Sequence, residues 1–409
     1  MIRFVHTADI HFGVENYGKI DPHTGIHSRL LDFAKAVDFC IDVAIEQQVD
    51  FFLFCGDAYK THHPSQTQQK LLLKAFLRLY NAHIPVIIIV GNHDHPLSFG
   101  KANTLDLFQE LPVNGFHVIA KPTSMVLETK SGPVSIVGIP WPARNTIAIA
   151  QKHFQKSSAE LTDYIAKTVA HIIFAFAQKL DPQLPAVLAG HLTVSSGVFS
   201  GSEKRAIYGT DPLFLPSQLA IPPFDYVALG HLHRHQNLNA NGHPAVVYSG
   251  SPERIDFGER KEEKGFCVVT IESKEKTAYE FIPTPTRSFI QFDITLNEHE
   301  GQTQQLISAI SRHNIADAII KIIYRIPAGK KDLVDINALQ NACASAHCLA
   351  GVVPYIQRVQ RERRTQLFDI SMDVQDVIRT YLAAKPDLKD RVPELLQKTL
   401  QLMEQDDAT

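Results

Sequence analysis

The sequence predicts an α/β fold: a two-sheet β-sandwich flanked by helices, then a smaller α/β domain and C-terminal helices. Three observations carry this. Strand-like apolar runs alternate with amphipathic stretches over residues 1 to 110. Further short strand-like runs between 116 and 282 supply a second sheet against the first. After Pro283 and Pro285 a fresh strand-helix-strand-helix-strand rhythm begins.

In chain order, the first layer reads as strand 2–7, helix 29–47, strand 50–55, helix 66–82 and strand 85–90, the alternation of an α/β layer structure. Short runs at 116–119, 125–127 and 134–139 precede a loop with Pro140-Trp141-Pro142. A helix over 158–178 leads to a strand before Gly190-His191, and strands follow at 225–229, 245–249, 266–271 and 278–282. The second domain reads as strand 289–295, helix 302–313, strand 318–325, helix 335–346 and strand 352–357. A basic stretch (Arg358, Arg361, Arg363, Arg364) precedes two amphipathic helices, 372–384 and 392–404. The expected divisions are therefore 1–285, 286–360 and 361–409.

With 409 residues the chain exceeds one ordinary domain. Forty Lys and Arg against 43 Asp and Glu give a formal net charge of -3, so any nucleic-acid surface must be a local patch. Five cysteines (Cys40, Cys55, Cys267, Cys343, Cys348), odd in number and without a CxxC pair, argue against a disulfide framework and fit a reduced, cytoplasmic compartment. The chain opens directly on a strand, and no apolar run approaches the roughly 20 residues of a membrane span. A soluble protein is expected.

Function is written at the ends of the strands. Asp9-x-His11 follows IRFVHTA, Gly56-Asp57 follows FFLFC, Gly91-Asn92-His93-Asp94 follows VIIIV, Gly190-His191 follows PAVLA, and Gly230-His231-x-His233 follows YVAL. A single Gly-Asp or Gly-His pair is an ordinary turn. Five clusters of metal-type ligands, each where an apolar run stops, point instead to one shared site with the layout of a two-metal hydrolase. Such a site needs one carboxylate common to both ions, and Asp57 is the candidate, alone on the loop directly after its strand. In extended backbone His231 and His233 would share a side and serve neighbouring ions. Cys55, before Gly56, reads as a buried thiol. His62, His63, His95 and His235 read as solvated or supporting imidazoles.

The order DxH, GD, GNHD, GH, GHxH resembles the calcineurin-like metallophosphoesterases over residues 1 to about 285. Within them, Ser249-Gly-Ser-Pro-Glu-Arg-Ile-Asp-Phe-Gly-Glu259 followed by Lys264-Gly-Phe is similar to the SbcD-type nuclease subunits of SbcCD DNA repair complexes. The resemblance implies a manganese-dependent DNA exonuclease and endonuclease with two manganese ions. One would take Asp9, His11, Asp57 and His233, the other Asp57, Asn92, His191 and His231. His93 would act as general acid or stabilise the transition state at the leaving oxygen, and Asp94 would orient a histidine. The sequence departs from related break-repair nucleases at Lys60, where a histidine can stand; lysine can meet phosphate as a point charge but is a poor proton shuttle near neutral pH. Lys60 and Arg254 are the candidate DNA contacts, the latter with pairing to Asp256 or Glu259 as the alternative.

The resemblance also implies DNA double-strand ends, hairpins or single strands as substrates, and a homodimer working with an SbcC-type coiled-coil ATPase. The second domain would be a capping domain and the terminal helices the ATPase dock, with folding back on their own chain as the alternative. Two other functions stay open: a general phosphoesterase with a small substrate, and a non-catalytic scaffold.

Overall fold

The computed structural model describes residues 1–96, 101–143, 157–201, 211–297, 300–356, 373–383 and 385–406. The basic stretch at Arg358–Arg364 lies outside them.

The first sheet contains β1 (Ile2–Thr7), β2 (Phe51–Phe54), β3 (Val86–Ile89) and β4 (Phe116–Ile119), parallel and adjacent in that order. The second contains β5 (Thr123–Thr129), β6 (Gly132–Ile139), β7 (Ala186–His191), β10 (Tyr226–Gly230), β11 (Gln236–Asn237) and β12 (Ala245–Tyr248), in the order β11-β12-β10-β7-β6-β5. Two short strands, β8 (Thr193–Val194) and β9 (Leu213–Phe214), pair with each other. The hairpin β13 (Gly265–Ser273) and β14 (Lys276–Pro283) returns to the first sheet, where β13 pairs antiparallel with β1. The runs at 116–119 and 123–129 thus belong to different sheets, only three residues apart.

Strands β2, β3, β7 and β10 are buried on both faces because both are covered. In β2, Phe51 and Leu53 join Phe4, Ile87, Val187 and Tyr226 between the sheets, whereas Phe52 and Phe54 face α1 (Ser28–Glu46) and α2 (Gln66–Asn81). Behind the second sheet α3 (Ser158–Ala177) buries Ile165, Val169 and Ile173. Both α2 and α3 start on capping boxes, Ser65 with Gln68 and Ser157 with Glu160, each satisfying two orphan backbone donors.

Beyond Pro285, β15 (Phe289–Thr295), β16 (Ile319–Ile326) and β17 (Cys348–Ile356) form an all-parallel three-stranded sheet, with α4 (Gln302–Ile310) and α5 (Ile336–Ala342) as crossovers. Phe292, Leu306, Ile320, Ile322, Tyr324 and Leu339 form its own core. It abuts the larger body through Phe257, Phe289 and Ile319, and through Arg287, whose guanidinium reaches Asp32 at 2.7 Å. The terminal helices α6 (Val374–Ala383) and α7 (Val392–Asp406) pack on one another. Among the described residues no helix is long and apolar enough to cross a membrane.

Candidate metal centre

The C-terminal ends of β1, β2 and β3 from one sheet and of β7 and β10 from the other meet. There three overlapping groups form: Asp9, His11 and His233; His11, Asp57 and His93; Asp57, His191 and His231. Within each, the ligand atoms lie within 4.8 Å of one another. Asn92 joins through its amide oxygen, 2.9 Å from His191 Nε2 and 3.0 Å from His231 Nδ1. All seven expected ligands are therefore together. Asp57 occupies the middle, its Oδ2 lying 3.4 Å from His191 Nε2 and 3.7 Å from His11 Nε2.

The backbone is bent to achieve this. Asp9, His11, Asp57 and His231 have φ of 56°, 51°, 59° and 106°, conformations costing about 1–3 kcal/mol each for non-glycine residues. Cross-ties hold them: Asp9 N donates to Gly56 O at 2.9 Å and His11 N to Asp57 O at 3.0 Å. His231 is thus not extended. It joins Asn92 while His233 joins His11, and the turn at His231 makes the division. Gly91 is required by close approach, since a Cβ there would collide with the Asp57 carboxylate.

Asp94 holds backbone rather than a histidine, which corrects the expected role. Its buried carboxylate accepts from Asp57 N (2.8 Å), Ala58 N (3.0 Å) and Gly91 N (3.0 Å), pinning the two ligand loops together. Burial, then the neighbouring Asp57 charge, raise its pKa to about 6.

Two imidazoles are oriented from outside by oxygens, and a third faces one. His191 Nδ1 lies 2.7 Å from the Cys55 carbonyl, and His233 Nδ1 2.9 Å from Glu259 Oε1. His231 Nε2 faces Asp211 Oδ2 at 3.3 Å, short of hydrogen-bond geometry. A carbonyl or an ionised carboxylate only accepts, so in His191 and His233 the outer nitrogen carries a proton and the inner one turns into the cluster. Burial raises Glu259's pKa, but Lys264 and His233 outweigh it and lower it to about 2. Glu259 is therefore an acceptor.

Inner lone pairs of His191 and His233 thus meet the oxygens of Asn92, Asp57 and Asp9. Such an array demands positive charge among its members. Protonation is one remedy: burial opposes it at His191, yet the Asp57 and Asp9 carboxylates raise that pKa to about 9. Asp9 itself is raised to about 7, chiefly by burial. Divalent cations are the other remedy, and mixed imidazole, carboxylate and amide donors suit manganese, iron or zinc. The residues fit a metal.

His93 stands at the rim, its side chain 43% exposed and Nε2 4.0 Å from Asp57 Oδ2. Its Nδ1 is 2.7 Å from the Lys60 carbonyl and its backbone N–H donates to Asp57 Oδ1 at 2.9 Å. Lys60 thus meets His93 through its backbone, leaving the side chain exposed. Arg254 does not stand free at the rim. Its guanidinium bonds to Thr286 Oγ1, Arg287 O (3.3 Å) and Glu262 O (2.8 Å).

Sequence reasoning missed Glu259, Asp211 and Trp141 as neighbours of the site. Glu259 ends the SGSPERIDFGE string; Asp211 carried no signal. The Trp141 ring, from the proline-flanked loop, lies 4.9 Å from the His231 ring. Cys55 is buried with its thiol pKa raised, mainly by burial, so it is an inert thiol whose backbone carbonyl does the orienting. His235 bonds to Tyr248 O at 3.0 Å and stacks on Phe281, outside the cluster.

Known proteins are similar to this chain. The family model of the calcineurin-like phosphoesterases matches residues 2–235. The chain is 27% identical over 292 residues to the SbcD component of the SbcCD nuclease of Escherichia coli K12, covering 69% of this chain and 68% of that protein. It is 28% identical over 312 residues to the DNA double-strand break repair protein Mre11 of Methanosarcina mazei, covering 76% of this chain but only 43% of the relative. A solved dimetal phosphatase from Danio rerio aligns over 69% of this chain and 99% of that one, at 10% identity and a TM-score of 0.39.

Proposed function

Because the chain belongs to the calcineurin-like phosphoesterase family, we propose that it is a two-metal, manganese-dependent DNA exonuclease and endonuclease of the SbcD type. It would process double-strand ends, hairpins or single strands. The observation that carries the hydrolytic reading is the convergence of inward lone pairs around Asp57. The DNA reading rests on the relatives named as the SbcD component of SbcCD and as Mre11 and on the SGSPERIDFGE string.

In this reading Asp9, His11, Asp57 and His233 hold one ion, and Asp57, Asn92, His191 and His231 hold the other. Bound there, the ions neutralise the phosphate and lower the pKa of an attacking water. The water oxygen forms a bond to phosphorus and gives its proton to bulk solvent, while the phosphorus bond to the leaving oxygen breaks. His93, as the imidazolium, passes its Nε2 proton to that oxygen. The Lys60 carbonyl holds the ring at Nδ1 so that Nε2 faces the centre. The exposed Lys60 ammonium would meet the phosphate backbone in this reading.

The partner would be an SbcC-type ATPase docked on α6 and α7, with two copies of this chain in the assembly. A cytoplasmic setting fits five cysteines that are all free. The commitment of Arg254 to loop carbonyls favours one second reading, a phosphoesterase acting on a small substrate. Rates on an end-labelled hairpin duplex and on bis(nitrophenyl) phosphate, with manganese, separate the two. The nuclease reading predicts hairpin cleavage lost in Asp57→Ala; turnover of the ester alone would favour the small substrate, and turnover of neither a scaffold.

A further inference from the structure

We propose that Glu259, held by the buried Lys264 ammonium, is the positioning residue for His233: it dictates which imidazole nitrogen meets the ion in the Asp9, His11 and His233 group. The inference rests on the metal-centre reading for that ion, and on this chain's geometry for everything else.

Glu259 and Lys264 both have side chains with 0% exposure. Glu259 Oε1 lies 2.9 Å from His233 Nδ1. Its Oε2 accepts from Ile255 N at 2.9 Å and meets Lys264 Nζ at 3.0 Å. Lys264 Nζ also donates to the backbone carbonyl of His233 at 2.7 Å. One ammonium thus holds both the main chain of His233 and the carboxylate that grips its ring.

The ring has little freedom left. Turning it over would break the bond to Glu259 and point Nδ1 at His11, whose Nε2 now lies 3.1 Å from His233 Nε2. The turn bearing Glu259 is itself anchored, with the Phe257 ring 5.1 Å from Phe289 and 5.2 Å from Tyr17. A purely structural reading is weaker, because a buried ion pair contributes little net stability and apolar side chains would fill the space as well. A carboxylate buried on the outer nitrogen of a metal-type histidine is the arrangement that fixes tautomer and ring orientation.

The test is manganese titration of the full chain by calorimetry, for the native protein, Glu259→Gln and the control Glu262→Gln. Glu262 meets Lys264 at 3.4 Å and Ser200 but not His233. We expect two ions to bind the native protein and the control alike. In Glu259→Gln one of the two should bind 10–100-fold more weakly, the other unchanged. A folded Glu259→Gln protein binding both ions with native affinity overturns the proposal. If that variant fails to fold, or the native protein takes up no manganese, long-range ¹H–¹⁵N NMR of the native metal-free protein decides. A proton on His233 Nδ1 supports the proposal, and a proton on Nε2 alone overturns it. A native protein that binds both ions yet cleaves no phosphodiester would sink the proposed function and leave this result standing.

Discussion

The strand-end cluster and the three-stranded sheet at residues 289–356 are built on opposite principles. In β16 the sequence IIKIIYRI puts Ile320, Ile322, Tyr324 and Ile326 into one apolar core. Regular strands, a matched hydrophobic face and crossover helices give local and global preferences that agree. The cluster breaks those rules at nearly every residue. Four candidate ligands stand at positive φ, buried carboxylates face buried imidazoles, and lone pairs point at one another. Among the described residues every candidate metal group lies in the cluster and none in the small sheet. Backbone strain and buried charge are denser in the cluster than in the small sheet, and ion binding there would offset the cost.

The comparison can be broken most severely at Asp57. Asp57→Ala removes the carboxylate common to two groups, so phosphodiester hydrolysis should fall by about 10³-fold or more; initial rates check this. His93→Asn should lower hydrolysis by roughly 10²–10⁴-fold and leave metal content, read by elemental analysis, intact. Loss of metal would instead make His93 a ligand. The opposite pattern is expected for Ile322→Ala, which should destabilise by about 2–5 kcal/mol in denaturant unfolding and leave the rate per folded molecule on a small ester unchanged.

A pH series sharpens the contrast further. In metal-free protein the His191 pKa is raised from 6.5 to about 9, the Asp57 and Asp9 carboxylates overriding burial. A raised base stabilises fully below its unfolded pKa, and that contribution disappears as pH rises through the folded one. Stability of the metal-free protein should therefore decline between pH 6.5 and 9, and saturating manganese should flatten the decline. The smallest effect is expected at Arg254. With its guanidinium on Thr286, Arg287 and Glu262, Arg254→Ala should leave the salt dependence of DNA binding unchanged, whereas a shallower slope would restore a phosphate contact.

Much of this was legible in the sequence, for identifiable reasons. Strands β2 and β3 are continuous apolar runs because both faces are covered, and β1, β2 and β3 each lead into residues a turn alone does not need. The helices at 28–46 and 158–177 follow from apolar spacing. What the sequence hides is contact at a distance. Asp94 sits beside His93 in the chain yet serves backbone amides 36 and 37 residues away. Glu259 grips a histidine 26 residues earlier, and Asp211 reaches His231 from a segment with no pattern of its own. The partners of Arg254 escaped the sequence because they are mostly backbone carbonyls, which carry no residue-type signal.

The most direct test of the account is a crystal of this protein soaked in manganese, with an anomalous difference map collected near the manganese edge. The account predicts two peaks on either side of the Asp57 carboxylate, one among Asp9, His11 and His233 and the other among Asn92, His191 and His231. Peaks elsewhere, or none at saturating manganese, would contradict it.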